Sequence, residues 1–240
     1  MEKTQILENI QTVRNRMAEA EQQAGVPIGS TLLLAATKTV SAEDINFAVN
    51  EGGITDIGEN RVQELLAKYD QLDKDKMRIH FIGTLQTNKV KYIIDKVDLI
   101  HSVDSLHLLE TINREAAKIQ RRVKVLLEVH VARETTKSGF NPDELLSLAT
   151  SLITSSPDQL YPWVEICGIM GMATNTDNQQ EWRRCFREIK SLSRSLPMQG
   201  ELERETIVSM GMSDDYPIAI EEGSTMVRIG SSIFGIRNPK

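Results

Sequence analysis

The sequence predicts a (β/α)8 barrel of the TIM type, preceded by one N-terminal helix. Three observations carry this. Short apolar runs alternate with amphipathic stretches, as parallel strands joined by helices do. Eight such runs fall between Leu32 and Gly230. A length of 240 residues suits a barrel that takes up the whole chain as one domain, 1–240. The doubly wound open sheet is the competing architecture. Its dinucleotide-binding form lacks support, because no Gly-x-Gly-x-x-Gly follows the first strand.

The first element reads as a helix. Leu7, Ile10, Val13, Met17 and Ala20 recur at helical spacing and give one apolar face, which Gly25 and Pro27 end. The predicted strands are Leu32–Thr37, Thr55–Gly58, Arg78–Gly83, Leu99–Val103, Val123–Val131, Val164–Met170, Thr206–Met210 and Met226–Gly230. Helix starts between them are legible from capping chemistry. Ser41 precedes Asp44, Asn60 precedes Gln63, and Asn141 is followed by Pro142 and Glu144. Thr176 or Asp177 caps the helix that carries Trp182, Phe186 and Ile189. The stretch Arg194–Arg204 reads as a surface loop. Only Ser231–Lys240 follows the last strand, which leaves no length for a second domain.

Composition narrows the function. Apolar residues make up 40% and charged residues 26%, an ordinary globular balance. The net charge of −6 argues against nonspecific nucleic-acid binding. The longest apolar run, Leu32–Ala36, is far too short for a membrane span, and the N-terminus has no signal-peptide pattern. Cys167 and Cys185 form no metal or disulfide motif. A cytoplasmic protein without a metal site is expected.

Chemistry in such a barrel belongs at the C-terminal strand ends. Lys38 closes the first apolar run. A strand-end lysine is commonly solvent-exposed, whereas a desolvated one offers the neutral amine that a Schiff base needs. Strand seven ends Ser209-Met210-Gly211-Met212-Ser213 and strand eight ends Arg228-Ile229-Gly230-Ser231-Ser232. Glycine with hydroxyl residues at these two places suggests an anion cradle. Arg228 points into the barrel, either to a carboxylate such as Glu59 or Glu128 or to a ligand. Asn60 reads locally as a helix cap. His80, His101 and His130 read as hydrogen-bonded core histidines, and Cys167 as packing.

These residues sit in longer motifs. They are Thr37-Lys38-Thr39, Gly58-Glu59-Asn60-Arg61, His80-Phe81-Ile82-Gly83, Leu85-Gln86-Thr87-Asn88-Lys89, Ile100-His101-Ser102-Val103-Asp104, Thr136-Lys137-Ser138-Gly139, Ser209–Asp215 and Glu222–Gly230. Through them the chain resembles the YggS/PROSC-type pyridoxal-phosphate-binding proteins, the pyridoxal phosphate (PLP) homeostasis proteins. The resemblance runs from about Leu32 to Arg237.

It implies a barrel like the N-terminal domain of alanine racemase, with PLP as cofactor. By position, it implies an aldimine on Lys38, Arg228 near the pyridine nitrogen, Asn60 at the cofactor, and Ser209, Gly211, Gly230 and Ser231 around the phosphate. Thr84 and His130 depart from common family residues. The implied role is keeping free PLP low, with consequences for vitamin B6 and amino-acid metabolism. PLP-dependent apoenzymes are the implied partners, and a monomer the implied state.

Three readings compete. A carrier only holds the cofactor. A PLP-dependent racemase needs a second acid/base group on the opposite face from Lys38, and among the four tyrosines only Tyr216 falls near the site. A phosphosugar aldolase or isomerase needs a carboxylate acid/base, for which Glu59 is the candidate. An arginine cannot accept a pyridinium proton, so Arg228 leaves the cofactor a weaker electron sink. The carrier without appreciable catalysis is the favoured reading.

Overall fold

The computed structural model describes residues 2–133, 138–197 and 206–235. Each of the eight predicted strands forms: β1 Leu32–Ala36, β2 Asp56–Glu59, β3 Arg78–Phe81, β4 Leu99–Val103, β5 Val123–Val129, β6 Val164–Gly171, β7 Ile207–Ser209 and β8 Met226–Ile229. They pair in sequence order, and β8 returns to β1 to close the barrel. All pairings are parallel.

The helices are α1 Lys3–Ala24, α2 Ala42–Asn50, α3 Val62–Lys68, α4 Val90–Ile93, α5 Leu106–Lys118, α6 Pro142–Ser155, α7 Pro157–Leu160, α8 Gln179–Ser193, α9 Tyr216–Glu221 and α10 Ser231–Phe234. Among the described residues no helix is long and apolar enough to cross a membrane.

Capping explains several starts. Ser41 accepts from the Asp44 N–H. Asn141 and Glu144 form a reciprocal capping box with Pro142 in the first turn. Two expectations are corrected. Asn178, not Thr176 or Asp177, caps α8 by accepting from Gln180 and Glu181. Asn60 caps nothing, because Arg61 occupies the N-cap of α3 and makes no side-chain cap bond.

The α1 face is also shifted. Ile6 is fully buried with Ile10, Val13, Met17 and Ala20, whereas Leu7 is only half-buried. Ile6 continues the i, i+4 ladder down to Ile10, so it takes the core position. Glu21 shares this face, and its carboxylate accepts from the Gly29 and Thr31 N–H groups at 2.7 Å each, which fixes the entry into β1.

Two apolar layers result. One lies between the strands and the helices. The second fills the barrel and includes Leu34, Leu99, Leu126, Met170 and Met226. Strand register brings polar side chains to that inner face. Leu34 pairs with Asp56 and Arg228, His80 pairs with Leu99, and Ser209 pairs with Met170 and Met226. Partners across a parallel ladder point to the same side. Asp56, His80, Ser209 and Arg228 therefore face the lumen, as does His101, two residues beyond Leu99. Part of the expected loop, residues 198–204, lies outside the described residues.

Candidate functional site

Lys38 leaves the C-terminal end of β1 on an exposed turn, next to Thr39 with φ 60°. The turn is held from below. Lys68, on α3, donates to the carbonyls of Thr37 and Val40 at 3.1 Å each. Its Nζ also lies 2.8 Å from Glu59 Oε1, which accepts the Thr37 hydroxyl as well. Burial pushes the Glu59 carboxyl up, against the pull of Lys68 and Thr37. This side of the site is thus a buried clamp that presents Lys38 to the mouth.

Arg228 forms the floor from the adjoining strand β8, where it pairs with Leu34 of β1. Its Nη1 donates to the Ser209 carbonyl at 2.7 Å and to the Ser209 hydroxyl at 2.8 Å, and its Nη2 donates to the Gly171 carbonyl at 3.2 Å. Burial lowers its pKa to about 10, partly offset by Asp215 and Glu128, so the guanidinium stays charged at neutral pH. Among the described residues no carboxylate comes within ion-pair distance of it. The expected alternative of a salt bridge to Glu59 or Glu128 is therefore not what forms: Glu59 belongs to Lys68, and Glu128 accepts from the Ser138 hydroxyl at 3.1 Å. Three of five guanidinium protons have protein acceptors, which leaves Nε–H and one Nη2–H for a ligand.

The two glycine–serine turns meet as the sequence suggested. The Ser232 N–H donates to the Ser213 hydroxyl at 3.3 Å, which ties the turn after β8 to the turn after β7. Gly211 adopts φ 95°, and its carbonyl accepts from the Arg228 N–H at 3.0 Å. Asp215 accepts from the Met212 N–H at 2.6 Å. Gly230 packs against the end of β1, where an added Cβ would lie 3.2 Å from the Ala36 carbonyl oxygen. Ser231 is exposed beside it.

Ser209 departs from its expected place. Its side chain is fully buried under Arg228, and its hydroxyl is shared by Arg228 and His101, so it is not a free hydroxyl of the anion cradle. Ser213, two turns of alternation further on, supplies the hydroxyl at the linked turns instead.

Asn60 sits half-buried at the end of β2. Gly83 lets β3 approach it, since a Cβ at 83 would fall 2.1 Å from the Asn60 carbonyl oxygen. His130, just past β5, has a buried Nδ1 with no partner, and Thr84 is exposed. Thr136 and Lys137, of the Thr136-Lys137-Ser138-Gly139 motif, lie outside the described residues. Cys167 is a free thiol that burial pushes up to about 12, consistent with packing.

Tyr216 is also corrected. It is 1% exposed, and its hydroxyl is turned toward Arg16 of α1 on the outside of the barrel, away from Lys38. Tyr216 is therefore not placed to be the second acid/base group that the racemase reading required.

Comparison with known proteins decides the lineage. Residues 3–238 match the family model for the alanine racemase N-terminal domain. A pyridoxal phosphate homeostasis protein of Aquifex aeolicus is 40% identical over 235 residues, covering 96% of this chain and 97% of that protein. The chain belongs to the pyridoxal phosphate homeostasis protein family. Within and around that family the fold recurs. PipY of Synechococcus elongatus, solved with PLP bound, superposes with a TM-score of 0.79 at 32% identity, covering 96% of this chain and all of that one. Alanine racemase of Bartonella henselae gives a TM-score of 0.71 at 14% identity, covering all of this chain and 62% of that one. At that identity the likeness is one of fold alone.

Proposed function

We propose that the chain, as one barrel domain, binds pyridoxal 5′-phosphate at the C-terminal mouth and serves PLP homeostasis as a holder of the cofactor, without appreciable catalysis. Lys38 would hold it covalently through Nζ. Arg228 would face the ring nitrogen. Gly211, Gly230, Ser231 and the linked Ser213–Ser232 turns would take the phosphate, with Asn60 beside the ring. Ser209 would act through Arg228.

The observation that carries this reading is Arg228. A buried guanidinium with two protons unclaimed and no carboxylate partner among the described residues needs an acceptor, and a neutral ring nitrogen is one. The unpartnered His130 Nδ1 adds a second polar atom at the same mouth. When bound, the cofactor would supply an electrophilic aldehyde that captures amines reversibly. An arginine at the ring nitrogen keeps that nitrogen unprotonated and the electron sink weak.

The competing enzyme readings lose their supporting residues. Tyr216 is turned to α1, and Glu59 is tied to Lys68 and Thr37. The name shared by the relatives supports a homeostatic role; we assign that role to the cytoplasm, with PLP-dependent apoenzymes as recipients. A monomer is the state we assign.

The test is an absorbance spectrum of the purified protein with added PLP, then borohydride reduction and peptide mass analysis. A visible band and a phosphopyridoxyl group on the peptide containing Lys38 are expected. A protein that takes up no PLP would overturn the reading. Turnover of alanine, serine or glutamate enantiomers that is lost in Lys38→Ala would overturn its non-catalytic half.

A further inference from the structure

Beneath Arg228 the barrel lumen holds an unbroken line of hydrogen bonds. His101 Nδ1 lies 3.1 Å from the Ser209 hydroxyl. His101 Nε2 lies 2.9 Å from His80 Nδ1, and His80 Nε2 lies 2.9 Å from Asp56 Oδ1. The rings meet edge to face, with centroids 5.1 Å apart and planes at 62°. His80 is 3% exposed, and Asp56, His101 and Ser209 are fully buried. Arg78 grips the far end, donating from Nε and Nη2 to both Asp56 oxygens at 2.7 and 2.8 Å.

We propose that His80 and His101 are positioning residues, and that the line from Asp56 through them fixes the Ser209 hydroxyl and so the aim of Arg228 toward the ligand. The direction of every proton in the line follows from its two charged ends. An ionised Asp56 accepts, so His80 carries its proton on Nε2. With its one proton so placed, His80 presents the Nδ1 lone pair and accepts, so His101 carries its proton on Nε2. The Nδ1 of His101 accepts in turn, so the Ser209 hydroxyl donates to it. That leaves the Ser209 lone pairs for the Arg228 proton. No link is frustrated. The opposite tautomer of His101 would set two lone pairs against each other at His80 and leave the Ser209 proton without an acceptor in the line.

The environment favours this state. Burial opposes the Asp56 charge, but the bonds from His80, Arg78 and Thr55 outweigh it and hold the carboxyl at about 2. Burial, then His80 and Arg228, hold His101 well below the usual imidazole range. Arg228 itself would be less well defined without the line, because both of its Nη1 protons go to Ser209. A rotated hydroxyl would compete for one of them. The consequence for the ligand rests on the reading that Arg228 faces PLP. The line itself does not.

Two measurements test this on the full chain. The first is nitrogen-15 NMR of histidine-labelled protein without added cofactor, with its four histidines assigned by subtracting His107 and His130 through substitution. At pH 7, His80 and His101 are each expected to carry a proton on Nε2 and none on Nδ1. A proton on Nδ1 of either overturns the proposal, and needs no variant of the line itself.

The second is PLP affinity and the visible spectrum of two variants. His101→Phe fills the space but cannot bond, and is expected to weaken PLP binding about tenfold and to shift the visible band. In His101→Gln the amide can accept from Ser209 and donate to His80, and wild-type behaviour should largely return. A His101→Phe protein that melts lower yet binds PLP with an unchanged spectrum shows packing only, and overturns the positioning role. If the wild type takes up no PLP, the proposed function fails, while the tautomers still decide the line.

Discussion

Lys68 Nζ sits 2.8 Å from Glu59 Oε1, and this buried ion pair lies under the turn that carries Lys38. Removing the cation alone strands a buried carboxylate. Lys68→Met is expected to cost about 3–5 kcal/mol in urea unfolding. Lys68→Met combined with Glu59→Gln should recover much of that loss, since the stranded charge is then gone. Equal destabilisation by the single and double variants would mean that the lysine acts through its bonds to Thr37 and Val40 rather than through Glu59.

The barrel was legible because its signal is local. Apolar runs of strand length, helix caps and turn glycines each sit within a few residues of one another. The ends of strands were legible too, so Lys38, Gly211, Gly230 and Ser231 all fall at the mouth. What the sequence hid is pairing across distance. His101 meets Ser209 over 108 positions and His80 meets Asp56 over 24, and nothing local marks either bond. Lys68 was missed although a sign existed. Val62, Leu65 and Lys68 share the buried face of α3, and a lysine on an apolar stripe needs a partner. Ser209 was placed in the cradle because a hydroxyl beside a strand-end glycine does not show that Arg228 and His101 already occupy it.

Asp56 gives the pH prediction. Its carboxyl is held at about 2 against an ordinary 3.8. The folded value lies below the unfolded one, so the group adds stability above about pH 4, and this is lost as pH falls toward 2. A shift of nearly two units corresponds to about 2 kcal/mol. Between pH 5 and pH 2, wild-type protein should therefore lose about 2 kcal/mol more than Asp56→Asn. Parallel acid limbs in urea unfolding would show that the carboxyl is not held down.

Lys38 should be nearly silent in stability. Its side chain is exposed on a turn that Lys68 fixes without it. Lys38→Ala is expected to change unfolding free energy by less than about 0.5 kcal/mol. The same variant should lose the visible band and the borohydride-trapped adduct. Retention of a trapped adduct on the same peptide mass would move the anchor to another amine.

Gly83 and Asn60 link the fold to the mouth. A methyl group at 83 would sit 2.1 Å from the Asn60 carbonyl oxygen, and backbone has to move to make room. Gly83→Ala should cost about 1–3 kcal/mol and weaken PLP binding, because Asn60 shifts with its backbone. Asn60→Ala should weaken binding with far less loss of stability, since the residue caps no helix. Stability loss without any change in affinity in Gly83→Ala would place Asn60 outside the cofactor contacts.

Tyr216 separates the holder from the racemase. Racemisation needs a proton donor and a proton acceptor on opposite faces of the substrate. Tyr216 is buried on α9 with its hydroxyl turned toward Arg16 of α1, and its own ionisation is pushed up by burial. Tyr216→Phe is therefore expected to lose at most about 1 kcal/mol of stability, since the ring stays packed and only the hydroxyl near Arg16 goes. PLP affinity and the visible band should not change, because the ring packs in the core and only the hydroxyl is removed. A racemase that used Tyr216 would show the reverse pattern: unchanged melting, intact cofactor binding and abolished turnover. Measuring melting, cofactor affinity and enantiomer turnover on this one variant distinguishes the two.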